Sequence, residues 1–384
     1  MRLRRAATGC EASQRQFFRA WCAWKNEALF AREKSSRHHL AIIFVVHPWL
    51  MKLNRIAQAL SGLLLMIPSC EASAPWRMKV IGEDWHLAAF EESLDLSCIA
   101  SADMRHCLVG SDESFYIQPG VIDSAALRIE SRRPMPLIPT TEADKNTEID
   151  IEGVAWSVRD ASYYITGSHG LGKKKGDLQP ARNTLFKIPF LSQKGDIDRA
   201  AIRRASLLPL LEKIPETAAH LRKPLQHNGL NIEGLTVSDG RLYFGLRAPN
   251  IDGRGFIISV DPASVFDGAD IPPRVHALEL GKGRGIRELA AIRDGFLIIT
   301  GNASAEASKK IPETQAPGPD DRFEMLHWNP GDGSRISRLG ELPRNGGKAE
   351  GILILEESAA AITLIVLYDG LQGGAPVTVR LERR

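Results

Sequence analysis

The stretch Asn231–Pro249, NIEGLTVSDGRLYFGLRAP, decides the fold. Apolar residues recur through Ile232, Leu235 and Val237 and again through Leu242, Phe244 and Leu246, which reads as two short strands. Between them Asp239-Gly240 supplies the positive φ that a tight hairpin needs. The pattern of an acidic start, an apolar strand, a turn and a second apolar strand returns at Ile151–His169 (IEGVAWSVRDASYYITGSH), Arg287–Asn302 (RELAAIRDGFLIITGN) and Ala349–Gly370 (AEGILILEESAAAITLIVLYDG). A weaker copy, Leu96–Asp112 (LSCIASADMRHCLVGSD), has Ser97 where the others align Glu152, Glu233, Glu288 and Glu350.

From Ser97 onward these positions are 55, 81, 55 and 62 residues apart. Spacing of this size, built from short strands, predicts an all-β chain folded as a β-propeller with one blade per copy. Five blades follow, with six as the alternative if the 81-residue interval hides another. Trp76–Trp85 and Pro376–Arg383 are solitary strands with no hairpin partner beside them in sequence. Their pairing would close the ring and remove its exposed edges. Asp196–Arg222 places Ile197, Ala201, Ala205, Leu208, Leu211 and Ile214 near helical spacing, broken by Pro209 and Pro215, so one short helical insertion is expected on the outside of its blade. Arg132–Thr147 and Ala303–Arg322, rich in Pro, Thr, Asp and Lys, read as surface loops.

The front of the chain reads differently. Residues 51–74 begin MKLNRIAQALSGLLLMIPSCEASA, with Lys52 and Arg55 before an apolar run to Ile67 and then small residues, the order of a signal peptide outside the fold. This predicts a periplasmic or secreted protein whose single propeller domain covers residues 75–384. Ile67-Pro68-Ser69-Cys70 resembles a lipoprotein box, so a membrane association enters only through lipidation at Cys70. Residues 1–50 carry no trace of the repeat and read as an upstream extension from a misassigned start codon, with a membrane-associated segment at Leu40–Leu50 as the alternative. They hold nine Lys/Arg against three Asp/Glu, and residues 51–74 add one net positive charge, so the overall +3 becomes −4 once both are set aside. A nucleic-acid partner therefore has no electrostatic support.

Cys98 and Cys107 are the cysteines that follow the leader. If the first turn centres between Ala102 and Asp103 they become cross-strand neighbours, and an oxidising compartment predicts a disulfide, with two buried free thiols as the alternative.

The motifs IEGVAW with YYITGSHG, LNIEGLTVSDGRLYFGLRAP, GIRELA, and AEGILIL with LYDG resemble the bacterial family called domain of unknown function 3616, over roughly Leu94–Arg383. A more distant similarity, a shared strand pattern, is to the phytase-like esterase propellers. The first resemblance implies the propeller and no established activity, and fold alone does not settle function.

Hairpin geometry puts the start of each first strand and the end of each second strand on one rim of the central channel. Glu152 is expected near His169, Glu233 near Arg247, Glu288 near Asn302, Glu350 near Asp369 and Ser97 near Asp112, with Arg287 beside them. A repeated glutamate can accept N–H groups of the next blade and clip the ring together. The non-repeated His169, Arg247 and Asp369 are then the better functional candidates. Converging carboxylates call for a balancing charge, either arginine or a divalent cation such as Ca²⁺ held by Glu233, Glu350 and Asp369. Gly170–Gly176 (GLGKKKG) reads as a phosphate-holding or merely solvated loop, and Gly281–Gly285 (GKGRG) lacks the helix that a phosphate loop requires. GxSxG, HExxH and CxxC motifs are missing from residues 75–384. The expected function is binding of a small ligand or a protein at one rim. The alternative is a metal-assisted phosphoester or ester hydrolase that uses rim carboxylates.

Overall fold

Asp239 and Gly240 both take positive φ, 49° and 72°, and the strands they join, Asn231–Ser238 and Arg241–Ala248, are the first two of a four-stranded antiparallel sheet completed by Arg254–Val260 and Arg274–Glu279. The computed structural model describes residues 76–82, 84–143, 147–191, 195–312 and 322–384. The leader, the lipidation site at Cys70 and the segment at Leu40–Leu50 lie outside them. So do parts of the two expected surface loops.

Sheets that begin with the same antiparallel inner hairpin are built five times, with four strands in blades 3, 4 and 5, five in the second and six in the first, and the chain is a five-bladed β-propeller. The innermost strands are Leu96–Ser101, Ile151–Ser157, Asn231–Ser238, Arg284–Ile292 and Lys348–Glu357, for blades 1 to 5. Each adjoins the innermost strand of the next blade, and the fifth adjoins the first. Closure follows the expected route: Trp76–Gly82 pairs antiparallel with Val377–Arg383 and becomes the outermost strand of blade 5. Blade 1 gains an outer strand, His86–Ala88, which lies parallel to Arg128–Ser131.

Apolar side chains leave both faces of every blade, because each blade is covered on both sides by its neighbours. Five buried clusters result, one between each adjacent pair of blades. This is why the inner strands read as nearly unbroken apolar runs instead of strict alternation. The 81-residue interval holds no further blade. Its short helices, Leu208–Leu211 and Pro215–Ala218, send Leu211 and Ile214, together with Leu207, into the cluster between blades 2 and 3, deeper than a position on a blade's outer edge.

The expected disulfide is absent. Cys98 pairs in register with Gly110 and Cys107 with Ser101, because the first turn is longer than two residues: Ala102 N–H bonds to the His106 carbonyl, and Asp103 accepts the N–H groups of Arg105 and His106. The register shift puts the two thiols on opposite faces of blade 1. Cys98 is buried against blade 2 and Cys107 against blade 5, and both are free. Burial pushes the Cys107 thiol up to about 12 and raises Cys98 as well, so neither is poised as a thiolate.

Candidate functional site

Each innermost strand skips one residue of register near its start: Ser97, Glu152, Glu233, Arg287 and Glu350 in blades 1 to 5. A bulge of this kind re-aims the extra side chain, and here it turns the five toward the centre of the ring, where all are buried. The glycine that follows the glutamate has its own reason. A Cβ at Gly153 would stand 2.5 Å from Leu235 Cβ of blade 3, and one at Gly234 2.9 Å from Leu289 Cβ of blade 4. Only a residue without a side chain lets the next inner strand come so close.

Blade 4 corrects the sequence alignment by one place. Ile286 and Leu289 match Ile232 and Leu235, so Arg287 is the central residue and Glu288 stands where blades 2, 3 and 5 place glycine and blade 1 places Cys98. The Glu288 carboxylate accepts the N–H of its own Leu289 at 2.7 Å, and the backbone of Leu235 and Ile352, on the blades to either side, lies close enough to favour its charged form. Burial raises its carboxyl well above the usual range, with those donors pulling against the shift. Glu288, standing between the inner strands of blades 3 and 5, comes nearest to the clip that the sequence suggested for all the glutamates.

Arg287 does the balancing expected of arginine. Its Nε lies 2.8 Å from Glu233 Oε2 on blade 3, and its Nη2 meets Glu350 Oε1 on blade 5. Arg247 Nη1 donates to Glu233 Oε1 at 2.8 Å, while its Nε reaches the Asn302 carbonyl at 3.2 Å. Asn302 thus serves through its backbone, its side chain being turned to the Ser304 N–H. Burial, with Arg247 close by, lowers Arg287 to about 10, which leaves it charged at neutral pH. The result is a buried chain, Arg247–Glu233–Arg287–Glu350, across blades 3, 4 and 5.

The three acids proposed as a metal set from sequence are therefore separated. Glu233 and Glu350 are held by arginine, whereas Asp369 accepts Lys348 Nζ at 2.6 Å and joins Asp95 and Asp112, with one oxygen of each within 4.8 Å of the others. Burial pushes Asp112 up to about 7, against the pull of Lys173. His169, expected near Glu152, is turned to the helical insertion instead. Its Nδ1 bonds the Gly167 carbonyl at 2.9 Å and its Nε2 accepts the Leu207 N–H at 3.3 Å, and burial lowers it to about 4. The ring is a neutral structural strut.

That leaves Glu152 of blade 2. The residue is 4% exposed, and its Oε1 has no hydrogen-bond partner among the described residues. Burial raises its carboxyl well above the usual range, and Asp150 and Glu233 add to the shift. By contrast Ser97 donates to the Ile151 carbonyl at 2.6 Å, and Glu233 and Glu350 are balanced by Arg247 and Arg287.

Around Glu152 the structure gathers residues that the sequence did not. Asp150 lies just before the strand with φ of 55°, buried, its Oδ2 accepting Arg182 Nη1 at 2.7 Å. Arg182 also pairs with Glu148. Lys173, from the GLGKKKG loop, extends its Nζ to 3.5 Å from Asp112 Oδ2 and 3.8 Å from Asp150 Oδ1. Those acids and Glu152, Asp150 foremost, raise the lysine. Gln226 Nε2 donates to the Lys173 carbonyl at 3.0 Å and Ser308 Oγ to the Lys174 carbonyl at 3.0 Å, so the loop's backbone is tied down. One signal was available in sequence: Asp95 and Asp150 both stand two places before the bulged residue of their strand. Lys173 reaches the site from a loop and Arg182 from the short 3-10 helix Pro180–Asn183, and no local pattern encodes where either side chain arrives.

Among solved structures the chain is similar to U3-55K (8% identity, TM-score 0.33, covering 77% of this chain and 65% of that one, less than two thirds of its length). It is also similar to the PQQ-bound aldose sugar dehydrogenase of Streptomyces coelicolor (13%, TM-score 0.38, 81% and 99% covered) and to virginiamycin B lyase of Staphylococcus aureus (11%, TM-score 0.34, 80% and 100% covered). Likeness this distant transfers no ligand and no activity. A search of the curated proteins finds no match. The family model described as "Protein of unknown function (DUF3616)" matches residues 95–187 and 196–376, which include all five inner hairpins, and the chain belongs to that family.

Proposed function

We propose that the protein binds a positively charged ligand at the mouth of its channel, over blades 1 and 2. The observation that carries this reading is Glu152: a residue 4% exposed, with an unpartnered carboxylate oxygen, in a ring whose other four members each have an ion-pair or hydrogen-bond partner. Leaving a buried polar group unpaired costs about 1–3 kcal/mol, and a ligand that brings positive charge to it recovers that cost. The acids near it, Asp95, Asp112, Asp150 and Asp369, favour the same sign of ligand.

Thermal unfolding with a panel of cations tests it: Ca²⁺, Mg²⁺, spermidine and arginine methyl ester, each with wild type and Glu152→Gln. A ligand present at a hundredfold excess over its Kd stabilises by about 2.7 kcal/mol. The expected result is a rise in midpoint for at least one cation in wild type and its loss in Glu152→Gln. No response to any of them, or equal responses in both proteins, would refute the reading.

A further inference from the structure

We propose that three loops on the channel rim form a docking surface for a membrane rich in anionic phospholipid. They are residues 170–178, which follow the second strand of blade 2, residues 222–229, which precede the first strand of blade 3, and residues 303–312, which follow the second strand of blade 4. The inference goes beyond the cation reading at Glu152 and does not depend on it.

The loops are packed against one another and hydrogen-bonded. Gln226 Nε2 donates to the carbonyls of Lys173 and Glu306, each at 3.0 Å, and Ser308 Oγ donates to the Lys174 carbonyl at 3.0 Å. A Cβ at Gly176 would stand 3.4 Å from Ile311 Cδ1 and 3.8 Å from Pro224 Cβ, so all three loops meet there. On this fixed base Lys174, Lys175, Arg222, Lys223, Lys309 and Lys310 are exposed, and none of them pairs with a carboxylate among the described residues. The acids in the same loops are Asp177 and Glu306. Elsewhere exposed cations find partners within the protein: Lys79 with Glu382, Arg203 with Asp267, Arg204 with Glu142, Arg338 with Glu324 and Arg344 with Glu341. Residues 75–384 carry a net −4, so the patch runs against the charge of the domain that bears it.

Composition selects the occupant. All of these cations but Arg222 are lysines, strongly hydrated point charges that are depleted in protein–protein interfaces and that draw a protein to an anionic lipid surface. The three loops hold no Phe, Tyr or Trp, so they lack the aromatic platforms on which the bases of a single-stranded nucleic acid stack. Leu178, in the same loop as Lys174 and Lys175, is 69% exposed. An apolar side chain set among lysines suits the boundary between headgroups and acyl chains. Attraction of this kind needs no lipid on Cys70.

Sedimentation with vesicles tests the proposal, using equal parts of phosphatidylglycerol and phosphatidylcholine against phosphatidylcholine alone. Each lysine drawn to an anionic surface raises the partition about fivefold. Wild type should therefore prefer the anionic vesicles, and Lys174→Gln/Lys175→Gln/Lys309→Gln/Lys310→Gln should bind them at least about a hundredfold more weakly. Arg203→Gln/Arg204→Gln/Arg338→Gln/Arg344→Gln removes the same charge from ion pairs at the outer edges of blades 2 and 4, and should bind as wild type does. Leu178→Asn should weaken binding to vesicles and leave binding to soluble polyphosphate unchanged. A lysine variant that binds like wild type, or an arginine variant that loses as much as the lysine variant, would overturn the proposal. So would binding of polyphosphate or a DNA oligonucleotide without binding of vesicles. A second measurement depends on no variant: acylation of vesicle-bound wild type, read by mass spectrometry, should be slowed at Lys174, Lys175, Lys309 and Lys310 and not at Lys79 on the outermost strand of blade 5. Equal slowing at Lys79 would overturn the docking face.

Discussion

Arg287 is the residue on which the buried charge of blades 3 to 5 depends, and Arg287→Met is the substitution that exposes its worth. The change removes the guanidinium from Glu233, which keeps Arg247, and from Glu350, which the structure pairs with Arg287. Breaking a buried ion pair from one side costs about 3–5 kcal/mol. A second argument caps the loss. Protonating a carboxyl of ordinary acidity at pH 7 costs about 3.5 kcal/mol, at 1.36 kcal/mol per pKa unit, and a bared, buried carboxyl escapes its charge in that way. A deficit of about 3–4 kcal/mol at pH 7 is therefore expected from urea unfolding. It should shrink by up to about 1.4 kcal/mol for each unit of pH lowered toward 5, as protonation becomes cheaper. Arg287→Met/Glu350→Gln should recover at least half of the deficit. A loss below about 1 kcal/mol, or a double variant no more stable than the single, would refute the idea that Arg287 holds the ring by charge.

Three further outcomes follow from the same geometry. His169 stays neutral in the folded protein down to about 4, against 6.5 for an ordinary histidine, so the unfolded chain binds the extra proton between those values. The stability His169 contributes is complete above pH 6.5 and lost as pH falls toward 4, and wild type should lose about 3 kcal/mol relative to His169→Gln over that window; parallel pH profiles for the two proteins would contradict this. Cys98 and Cys107 should alkylate only after denaturation, read on their peptides without added reductant, whereas a disulfide-linked peptide would show that the register of blade 1 is wrong. Gly153→Ala forces a methyl group to within 2.5 Å of Leu235 Cβ and should cost about 1–3 kcal/mol in urea unfolding; a neutral effect would mean that the inner strands are not packed this closely.

The blades were legible because their signal is local. A hairpin with Asp-Gly at the turn and apolar residues on both flanks specifies itself, and the length between copies then sets the number of blades. Trp76–Gly82 was recognisable as a closing strand for the complementary reason that it has no local partner. Blade 4 was misaligned because two adjacent polar residues, Arg287 and Glu288, both fit the start of a strand. Only the bulge decides which of them faces the channel, though the spacing of Ile286 and Leu289 against Ile232 and Leu235 already carried the answer. The disulfide failed on turn length, since Ser101 and Asp103 side chains cap a wider turn than two residues and shift the pairing. At the channel mouth the glutamates could be listed from sequence, but their division into a clip, an arginine-paired set and one unpartnered acid depends on contacts between blades. No periodicity within a strand records those contacts.

The most direct test of the channel-mouth site is a crystal structure of the protein soaked in the cation that raises its unfolding midpoint. Density for that cation against the carboxylate of Glu152 is the result predicted. An ordered cation bound elsewhere, with none near Glu152, would contradict it.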